Sequence, residues 1–479
     1  MVLRIAGQEV LGAYSFLMQM VSWAALTDLG FGVAIGRYLA QAIGIDDHRQ
    51  RFRTIFITGR TFYLASNLAF AAIILIMSWK VNSLMSMSYS VESDARLSLI
   101  LLAVWVAIRT PFSLYNDALS ATQNLAAVNI IIAIGAVLRL LLSLGLVILG
   151  ASLIGLMLAN IIAEAVTLIA GYAWYIKLYP NDQFGWGIPD RSLFREMLGF
   201  GLTFMIIIVA SRLSASTDSI IVGYLYGASA VSIYYTSQVP GTMLYQLIWK
   251  LTDNSAPALN ELHARRAISQ LTNAYLRLLR YSLLLVIPLA IGLLGFNRYA
   301  ITLWVGQAQY AGNVLTIALS LFAVTQVIIH LNGIVLLAYG DIRVMSVFFL
   351  CAGIVKVIMA FWLGRIIGLQ GVMVSNAIVD IPAFVYLNYR VWRLLGLSVR
   401  EVHRNAILQA LKSSVLPLLV LILVLLKSPS VTWPLFLLWG SIFALIWALG
   451  TASVGLLSAE RDQIHSYIMR KLNWKTSGT

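Results

Sequence analysis

The chain has 479 residues, of which 60% are hydrophobic and 11% are charged, with a mean hydropathy of +0.86 and a formal net charge of +14. Soluble domains have about 45–50% apolar and about 25% charged residues, so a water-soluble fold of this size is excluded. The single cysteine, Cys351, excludes a disulfide scaffold. The composition therefore predicts a polytopic membrane protein, in which the few polar residues carry most of the functional information.

The predicted membrane spans are apolar stretches of about 20 residues, the length that crosses the hydrocarbon layer. Thirteen such stretches lie at 12–35, 55–78, 97–118, 127–149, 151–176, 197–225, 229–252, 278–296, 312–338, 346–366, 369–389, 407–426 and 434–457. They predict an all-α inner-membrane protein, because the strands of outer-membrane barrels are short and alternate in polarity. A kink is expected where Arg109 precedes Pro111. No cleavable signal peptide is expected, because the first stretch runs into Asp28 and Arg37 without a small-residue cleavage site.

Positive charge is divided unequally between the two alternate sets of loops. One set, with the C-terminal tail, holds twenty Lys and Arg residues, and the other holds six. The positive-inside rule places the richer set in the cytoplasm. We therefore expect a multi-pass protein of the bacterial inner membrane with a cytoplasmic C-terminus. The net charge then gives no support for a nucleic-acid partner.

The chain contains an internal repeat. Residues 155–164 match residues 371–380 at an offset of 216, with the glycine, methionine, asparagine, isoleucine and acid coinciding. Further matches in the same order are Asn116 with Asn332, Tyr14 with Tyr234, Gln19 with Gln238, and Arg60 with Arg280. We predict two parallel six-helix copies and a C-terminal helix pair, with boundaries at 1–187, 188–404 and 405–479. Transporters built from such repeats bind substrate between the copies, near the middle of the membrane.

The repeat also predicts one helix more than the chain shows. The stretch 197–225 opens the second copy, and its counterpart in the first copy falls almost entirely before Met1. We expect the complete pattern to have fourteen helices with both termini in the cytoplasm, and the reading frame to continue upstream. A natural thirteen-helix variant is the alternative.

Motifs in both copies resemble those of one family. The first copy has GQEVLGAY at 7–14 and TDLGFG at 27–32, followed by Arg37, and the second copy has GYLYG at 223–227, then Tyr234, and APALNEL at 256–262 before a basic loop. They resemble bacterial polysaccharide exporters of the multidrug/oligosaccharidyl-lipid/polysaccharide (MOP) exporter superfamily, over essentially the whole chain. The resemblance implies a flippase that moves undecaprenyl-diphosphate-linked oligosaccharide to the periplasmic leaflet by alternating access, for O-antigen, capsule or exopolysaccharide assembly. It also implies a monomer that works with a polysaccharide polymerase and chain-length machinery.

Ionisable side chains inside a membrane are costly, so each needs a partner or a water-filled cavity. The densest polar segment, SRLSASTDS at 211–219, lies within a predicted span. We predict that Arg212, Ser214 and Asp218 line the substrate cavity, and an internal hydrogen-bonded seam is the alternative. Arg139, Lys250 and Tyr234 complete the predicted substrate-binding set, because cations bind a diphosphate and tyrosines suit a sugar.

Two pairs of opposite charge lie at similar depths on consecutive predicted helices. Arg139 faces Glu164 in the first copy and Lys356 faces Asp380 in the second, and we expect each to form a structural ion pair. Substrate contact is one alternative, and coupling to Na⁺ or H⁺ through either acid is another.

Other charges lie near the predicted cytoplasmic helix ends. Lys250 and Asp253 are three residues apart on one helical face and can pair locally. Asp28 and Lys250 lie at similar levels in the two copies, and a salt bridge between them across the pseudo-two-fold axis would close the cytoplasmic mouth. Asp28, Lys250 and Asp253 are therefore the predicted gate residues, with headgroup snorkelling as the alternative. Snorkelling is also expected for Arg60 and Arg280.

No enzyme motif accompanies these charges. The sequence has no Walker motif and no zinc-ligand spacing, and its five histidines are scattered, so neither a metal nor an organic cofactor is expected. A multidrug or cation antiporter of the same superfamily is the first alternative function, but it needs an acidic cavity. A membrane polymerase or glycosyltransferase is the second, but the longest external loop, at about 77–96, is too short to carry a catalytic site.

Overall fold

The structure is a computed structural model in which residues 2–24, 31–43, 48–122, 124–180, 187–215, 217–427, 432–457 and 460 are described. Nearly all of these residues are helical and no strand occurs among them, so the predicted all-α membrane fold is confirmed. Helices are the physical outcome for such apolar segments, because a membrane offers no water to backbone N–H and C=O groups.

The helices are numbered in chain order. In the described part of the chain they are α1 (Val2–Ala6), α2 (Gln8–Ala24), α3 (Phe31–Ile43), α4 (His48–Leu84), α5 (Tyr89–Ile108), α6 (Tyr115–Ala121), α7 (Leu125–Ile148), α8 (Ser152–Leu178), α9 (Arg191–Ala215), α10 (Asp218–Tyr226), α11 (Ala228–Asp253), α12 (Ala256–Ala264), α13 (Ile268–Trp304), α14 (Asn313–Ala338), α15 (Ile342–Ile367), α16 (Gln370–Leu395), α17 (Val399–Val402), α18 (Leu408–Lys427) and α19 (Trp433–Gly450). Short 3₁₀ turns lie at Thr110–Phe112 and Gln307–Gln309, and π-helical turns lie at His403–Ile407 and Thr451–Gly455.

Nine helices within the described ranges are long and apolar enough to cross a membrane. They are Gln50–Val81, Ala126–Ile148, Ser152–Leu178, Ile268–Trp304, Asn313–Ala338, Met345–Ile367, Gln370–Leu395, Val399–Leu426 and Trp433–Gly455. The bent pair Tyr89–Ile108 and Thr110–Ala121 makes a tenth if the two cross together, and its bend of 50° confirms the kink expected at Pro111.

The other predicted spans are interrupted or polar. The stretch 197–225 is divided between α9 and α10, and 12–35 includes residues outside the described part. Helix α11 is continuous over 26 residues but carries several Ser, Thr and Gln residues and Pro240, which lower its apolarity. The count of thirteen spans thus stays a prediction.

The chain divides into two compact units. Unit 1 comprises Met1–Tyr235 and Phe349–Arg365, and unit 2 comprises Thr236–Phe348 and Ile366–Thr479. This division does not test the lobe boundaries expected from the repeat, which stay a prediction.

The core of unit 1 fixes the start of α9 against α3. Phe31 stacks on Phe62 with ring centroids 3.8 Å apart, and Phe194 of α9 packs against both rings. Tyr38 of α3 donates a hydrogen bond to Glu196 of α9 at 3.0 Å. Because the far end of α9 carries Arg212, this aromatic packing positions the polar segment predicted from the sequence.

In unit 2, a buried polar network joins α13, α14 and α16. The hydroxyl of Tyr275 donates to Asn332 at 2.9 Å, and Asn332 donates to Asn388 at 3.0 Å. Trp392 donates its indole N–H to Tyr275 at 3.1 Å. A network whose members satisfy one another costs little when buried, so it fixes the positions of the three helices.

Candidate functional site

The polar segment lies at a break between two helices of unit 1. Helix α9 ends at Ala215 and α10 begins at Asp218, so that Arg212 and Asp218 stand on opposite sides of the break. Broken helices in transporters expose backbone and side-chain polar groups at substrate sites. The side chain of Ser214, a predicted cavity residue, lies outside the described part of the structure.

Arg212 is held by a neutral partner. Its Nη1 donates to the hydroxyl of Ser22 on α2 at 2.7 Å, and the residue is partly exposed. Among the residues that the structure describes, no carboxylate forms an ion pair with Arg212. A guanidinium carries five N–H donors, and within the described ranges Ser22 is the acceptor that Arg212 contacts. Nothing in the sequence around Ser22 predicts this contact, since the two residues are 190 positions apart.

Asp218, in contrast, is buried and compensated. Its Oδ1 lies 3.4 Å from the ammonium of Lys356, and its Oδ2 accepts a hydrogen bond of 2.7 Å from Tyr234. Gly353, one turn before Lys356 on α15, packs against Leu213, and a Cβ there would lie 2.7 Å from the Leu213 Cβ. The close approach of α15 to α9 brings Lys356 to the break.

The expected pairing of Lys356 with Asp380 stays a prediction, and within unit 1 the described partner of Lys356 is Asp218. In unit 2, Asp380 accepts hydrogen bonds from Thr325 at 3.1 Å and from Gln326 at 2.8 Å.

The expected pairing of Arg139 with Glu164 is wrong. Glu164 forms an ion pair with Arg109 and accepts a hydrogen bond of 2.9 Å from the indole N–H of Trp105. The helix break after Ile108 places Arg109 beside α8, and Asn67 of α4 accepts a further hydrogen bond from Arg109 at 3.3 Å.

Arg139 itself is exposed on α7, and it makes no ion pair within the described ranges. Arg139 and Arg212, which both lie within predicted spans, thus pair with no described carboxylate.

The predicted gate residues of α11 do pair. Lys250 lies 3.8 Å from Asp253, as their spacing predicted. The other oxygen of Asp253 lies 2.7 Å from Nε2 of His330, whose ring stacks on Trp249 at 4.4 Å. The contact with His330 is not predicted from the sequence, although the i, i+4 spacing of Trp249 and Asp253 places both on the helix face that meets the histidine. Asp28, the third predicted gate residue, lies outside the described residues.

The tyrosines of α10 and α11 divide by exposure. Tyr224, Tyr226 and Tyr235 are exposed, whereas Tyr234 and Tyr245 are buried. Tyr234 is buried and donates its hydrogen bond to Asp218, so the structure gives no support to its predicted contact with substrate. Among the described residues, no group of three or more His, Cys, Asp and Glu side chains could hold a metal ion.

The family model described as polysaccharide biosynthesis protein matches residues 2–314. A comparison with curated protein sequences found no match. A solved multidrug resistance MATE family transporter of the MOP superfamily, in an inward-facing conformation, is similar with a TM-score of 0.69 and 15% identity, over 83% of this chain and 94% of that one. The lipid II flippase MurJ, in an inward closed conformation, is similar with a TM-score of 0.65 and 13% identity, over 93% of this chain and 96% of that one.

The family match confirms the polysaccharide resemblance expected from the motifs. At such low identity the two solved structures show a shared fold, and the family match carries the assignment beyond the fold.

Proposed function

We propose, on the premise that the chain belongs to the polysaccharide biosynthesis protein family, that it is a flippase for undecaprenyl-diphosphate-linked oligosaccharide. The family and the shared fold support a flippase or exporter of the MOP type. The lipid-linked substrate moves from the cytoplasmic to the periplasmic leaflet of the bacterial inner membrane by alternating access. It then supplies the assembly of O-antigen, capsule or exopolysaccharide, with a polymerase and chain-length machinery as partners.

The observation that carries the proposal is the state of Arg212. Its guanidinium lies at a helix break within a predicted span, bound to Ser22 and paired with no described carboxylate. A diphosphate needs cationic donors, and a guanidinium offers a planar fork that matches phosphate oxygens. Arg139, exposed on α7, is the second cation that we assign to this substrate.

The balance of charge in unit 1 argues against a cation antiporter. Asp218 is neutralised by Lys356, and Glu164 is neutralised by Arg109. An antiporter of cations needs an available carboxylate, and both of these intramembrane acids already hold a cation. The described residues at the break are therefore suited to an anionic ligand.

Complementation tests the proposal. The chain is expressed in bacterial strains that each lack the flippase for one known surface glycan, and surface glycan and lipid-linked intermediate are both measured. We expect surface glycan to return and the intermediate to fall in at least one strain. Failure in every strain, with the protein present in the membrane and resistance to cationic drugs increased, overturns the proposal in favour of the antiporter.

A further inference from the structure

Glu460, which follows α19 in unit 2, has a buried carboxylate that binds side chains of α13. One oxygen forms an ion pair with Arg280, accepts a hydrogen bond of 3.0 Å from Tyr281 and lies 3.6 Å from Nε of Arg277. The other oxygen accepts a hydrogen bond of 3.0 Å from the backbone N–H of Leu457. Glu460 is 5% exposed and Arg280 is 3% exposed. The expectation that Arg280 reaches toward lipid headgroups is therefore wrong.

The guanidinium of Arg280 joins three separate segments. It belongs to α13, its Nη2 binds Glu460, and its Nη1 donates to the carbonyl oxygen of Asn405 at 2.8 Å. Asn405 lies in the π-helical turn that leads into α18, and Glu460 follows the π-helical turn that ends α19. Turns of this type often occur at functional positions in helices. One buried cation thus contacts both ends of the C-terminal helix pair.

The rest of the contact between α13 and the pair is mainly apolar. Val424 and Phe443 form a small core against Phe296 of α13, and Trp447 donates its indole N–H to the carbonyl oxygen of Leu284 at 3.0 Å. Apolar contact is non-directional, so it tolerates small shifts of one helix along another. An ion pair between buried groups is directional, and its charges are costly to leave unpaired.

We propose that Arg277, Arg280 and Tyr281 form a carboxylate-binding site whose ligand is Glu460 of the same chain, and that this site is the latch that docks α18 and α19 onto α13. The ligand class is a small carboxylate, because two cations and a phenol converge on one oxygen of Glu460. Loss of the Glu460 side chain leaves the Arg280 guanidinium buried without its anion, with space for an anion from solution. The inference is independent of the substrate.

Chemical rescue tests the binding site. Thermal unfolding of the purified full chain is measured for the wild type and for Glu460→Ala, in sodium acetate and in sodium chloride of equal concentration. We expect a lower midpoint for Glu460→Ala in chloride and a partial return in acetate, with no difference between the salts for the wild type. Glu261→Ala is the matched control, because Glu261 also pairs with an arginine but is exposed on α12.

The double variant Arg280→Leu/Glu460→Leu keeps the test decisive if Glu460→Ala fails to fold. We expect the double variant to fold and to show no acetate effect, because no charge is stranded in it. A midpoint of Glu460→Ala equal to that of the wild type, or the same acetate effect in the double variant, overturns the site.

Cysteine alkylation tests the docking itself. Leu284 is 2% exposed and lies against Gly455, so Leu284→Cys in a Cys351→Ser background reports on separation of α19 from α13. We expect Glu460→Ala to raise the alkylation rate roughly tenfold, the factor that corresponds to about 1.4 kcal/mol of lost docking, and acetate to slow it again. An unchanged rate in a variant with a lowered midpoint overturns the latch and leaves only a local stabilising pair.

Discussion

The carboxylate of Glu164 is neutralised by Arg109, which stands near a helix break of α5 and not on the neighbouring α7. In the second copy, Asp380 accepts a hydrogen bond from Thr325. Both Asp380 and Thr325 lie 216 residues after their counterparts Glu164 and Arg109. If the predicted duplication is correct, the two copies place a partner of the acid at the same position, a guanidinium in one and a hydroxyl in the other.

Changing both members of the Arg109–Glu164 pair should cost less than changing either one. We expect Arg109→Leu or Glu164→Leu alone to lower the free energy of unfolding by about 1–3 kcal/mol, because the pair is partly exposed and lies between surface and fully buried pairs. The double variant should be less affected, as the second change removes the stranded charge. Unfolding of the purified variants in mixed micelles gives these values.

Arg139 supplies the control for that cycle. We expect Arg139→Leu and Glu164→Leu to have additive effects, because the two residues do not pair in the structure. Coupling of Arg139 to Glu164 that exceeds the coupling of Arg109 to Glu164 would contradict the observed pairing.

Loss of the Lys356 ammonium should lower stability more than loss of the Tyr234 hydrogen bond to Asp218. Lys356→Met strands a buried carboxylate, and we expect a loss of about 3–5 kcal/mol. Tyr234→Phe removes the hydrogen bond of 2.7 Å to Asp218, with an expected loss of about 1.5–3 kcal/mol for a bond to a charged group. The measurement is again unfolding of the purified protein, with the exposed Tyr224→Phe as the control. A tolerated Lys356→Met would show that Asp218 has another counter-ion.

Gly12 should not accept even an alanine. A Cβ at this position would overlap the backbone carbonyl of Ala228, where α2 meets the first residue of α11. We expect Gly12→Ala to lower stability by about 1–3 kcal/mol, since the obstacle is backbone and cannot rotate away. The control is Gly145→Ala on α7, where a new Cβ meets nothing within 4 Å. Equal thermal midpoints for the two variants would argue against the close approach of α2 and α11.

Asp190 should make part of the stability depend on acid pH. Hydrogen bonds from the Ser192 hydroxyl and the Leu193 backbone N–H lower the pKa of Asp190 below its ordinary value of 3.8. Because the folded pKa is the lower one, this contribution is complete above pH 3.8 and is lost as the pH falls through the folded pKa. We expect Asp190→Asn to flatten stability against pH between about 5 and 2. A profile that keeps its acid slope would assign the slope to other carboxylates.

The sequence predicts the helices of the fold better than it predicts the ion pairs between them. Long apolar stretches must become helices in a membrane, so α13, α14 and α16 followed from composition alone. Partners inside the membrane depend on helix rotation, which hydropathy does not encode. The sequence favours Arg139 as the partner of Glu164 because consecutive helices are neighbours. In the structure, the helix break at Arg109 brings that guanidinium to Glu164.

The break between α9 and α10 shows the same limit. Its polar composition is visible in the sequence, whereas the separate partners of Arg212 and Asp218 are seen only in the structure. The partners themselves, Ser22 and Lys356, lie about 190 and 140 residues away. Contacts at such separation follow from packing, and here Gly353 decides one of them by letting α15 approach α9.

Arg212 is the residue on which transport should depend most. If its guanidinium receives the diphosphate, Arg212→Lys should keep partial export, because an ammonium attracts phosphate without the bidentate geometry. Arg212→Ala should abolish export at unchanged membrane abundance, and Arg212→Glu should be at least as severe. The measurement is surface glycan in a complemented strain, with protein quantified in parallel. Ser22→Ala is the matched control, since it removes the bond of 2.7 Å that holds Arg212 while keeping the guanidinium, and it should reduce export less than Arg212→Ala. Full export by Arg212→Ala would remove Arg212 from the substrate site, and loss of protein in its place would make Arg212 a structural residue.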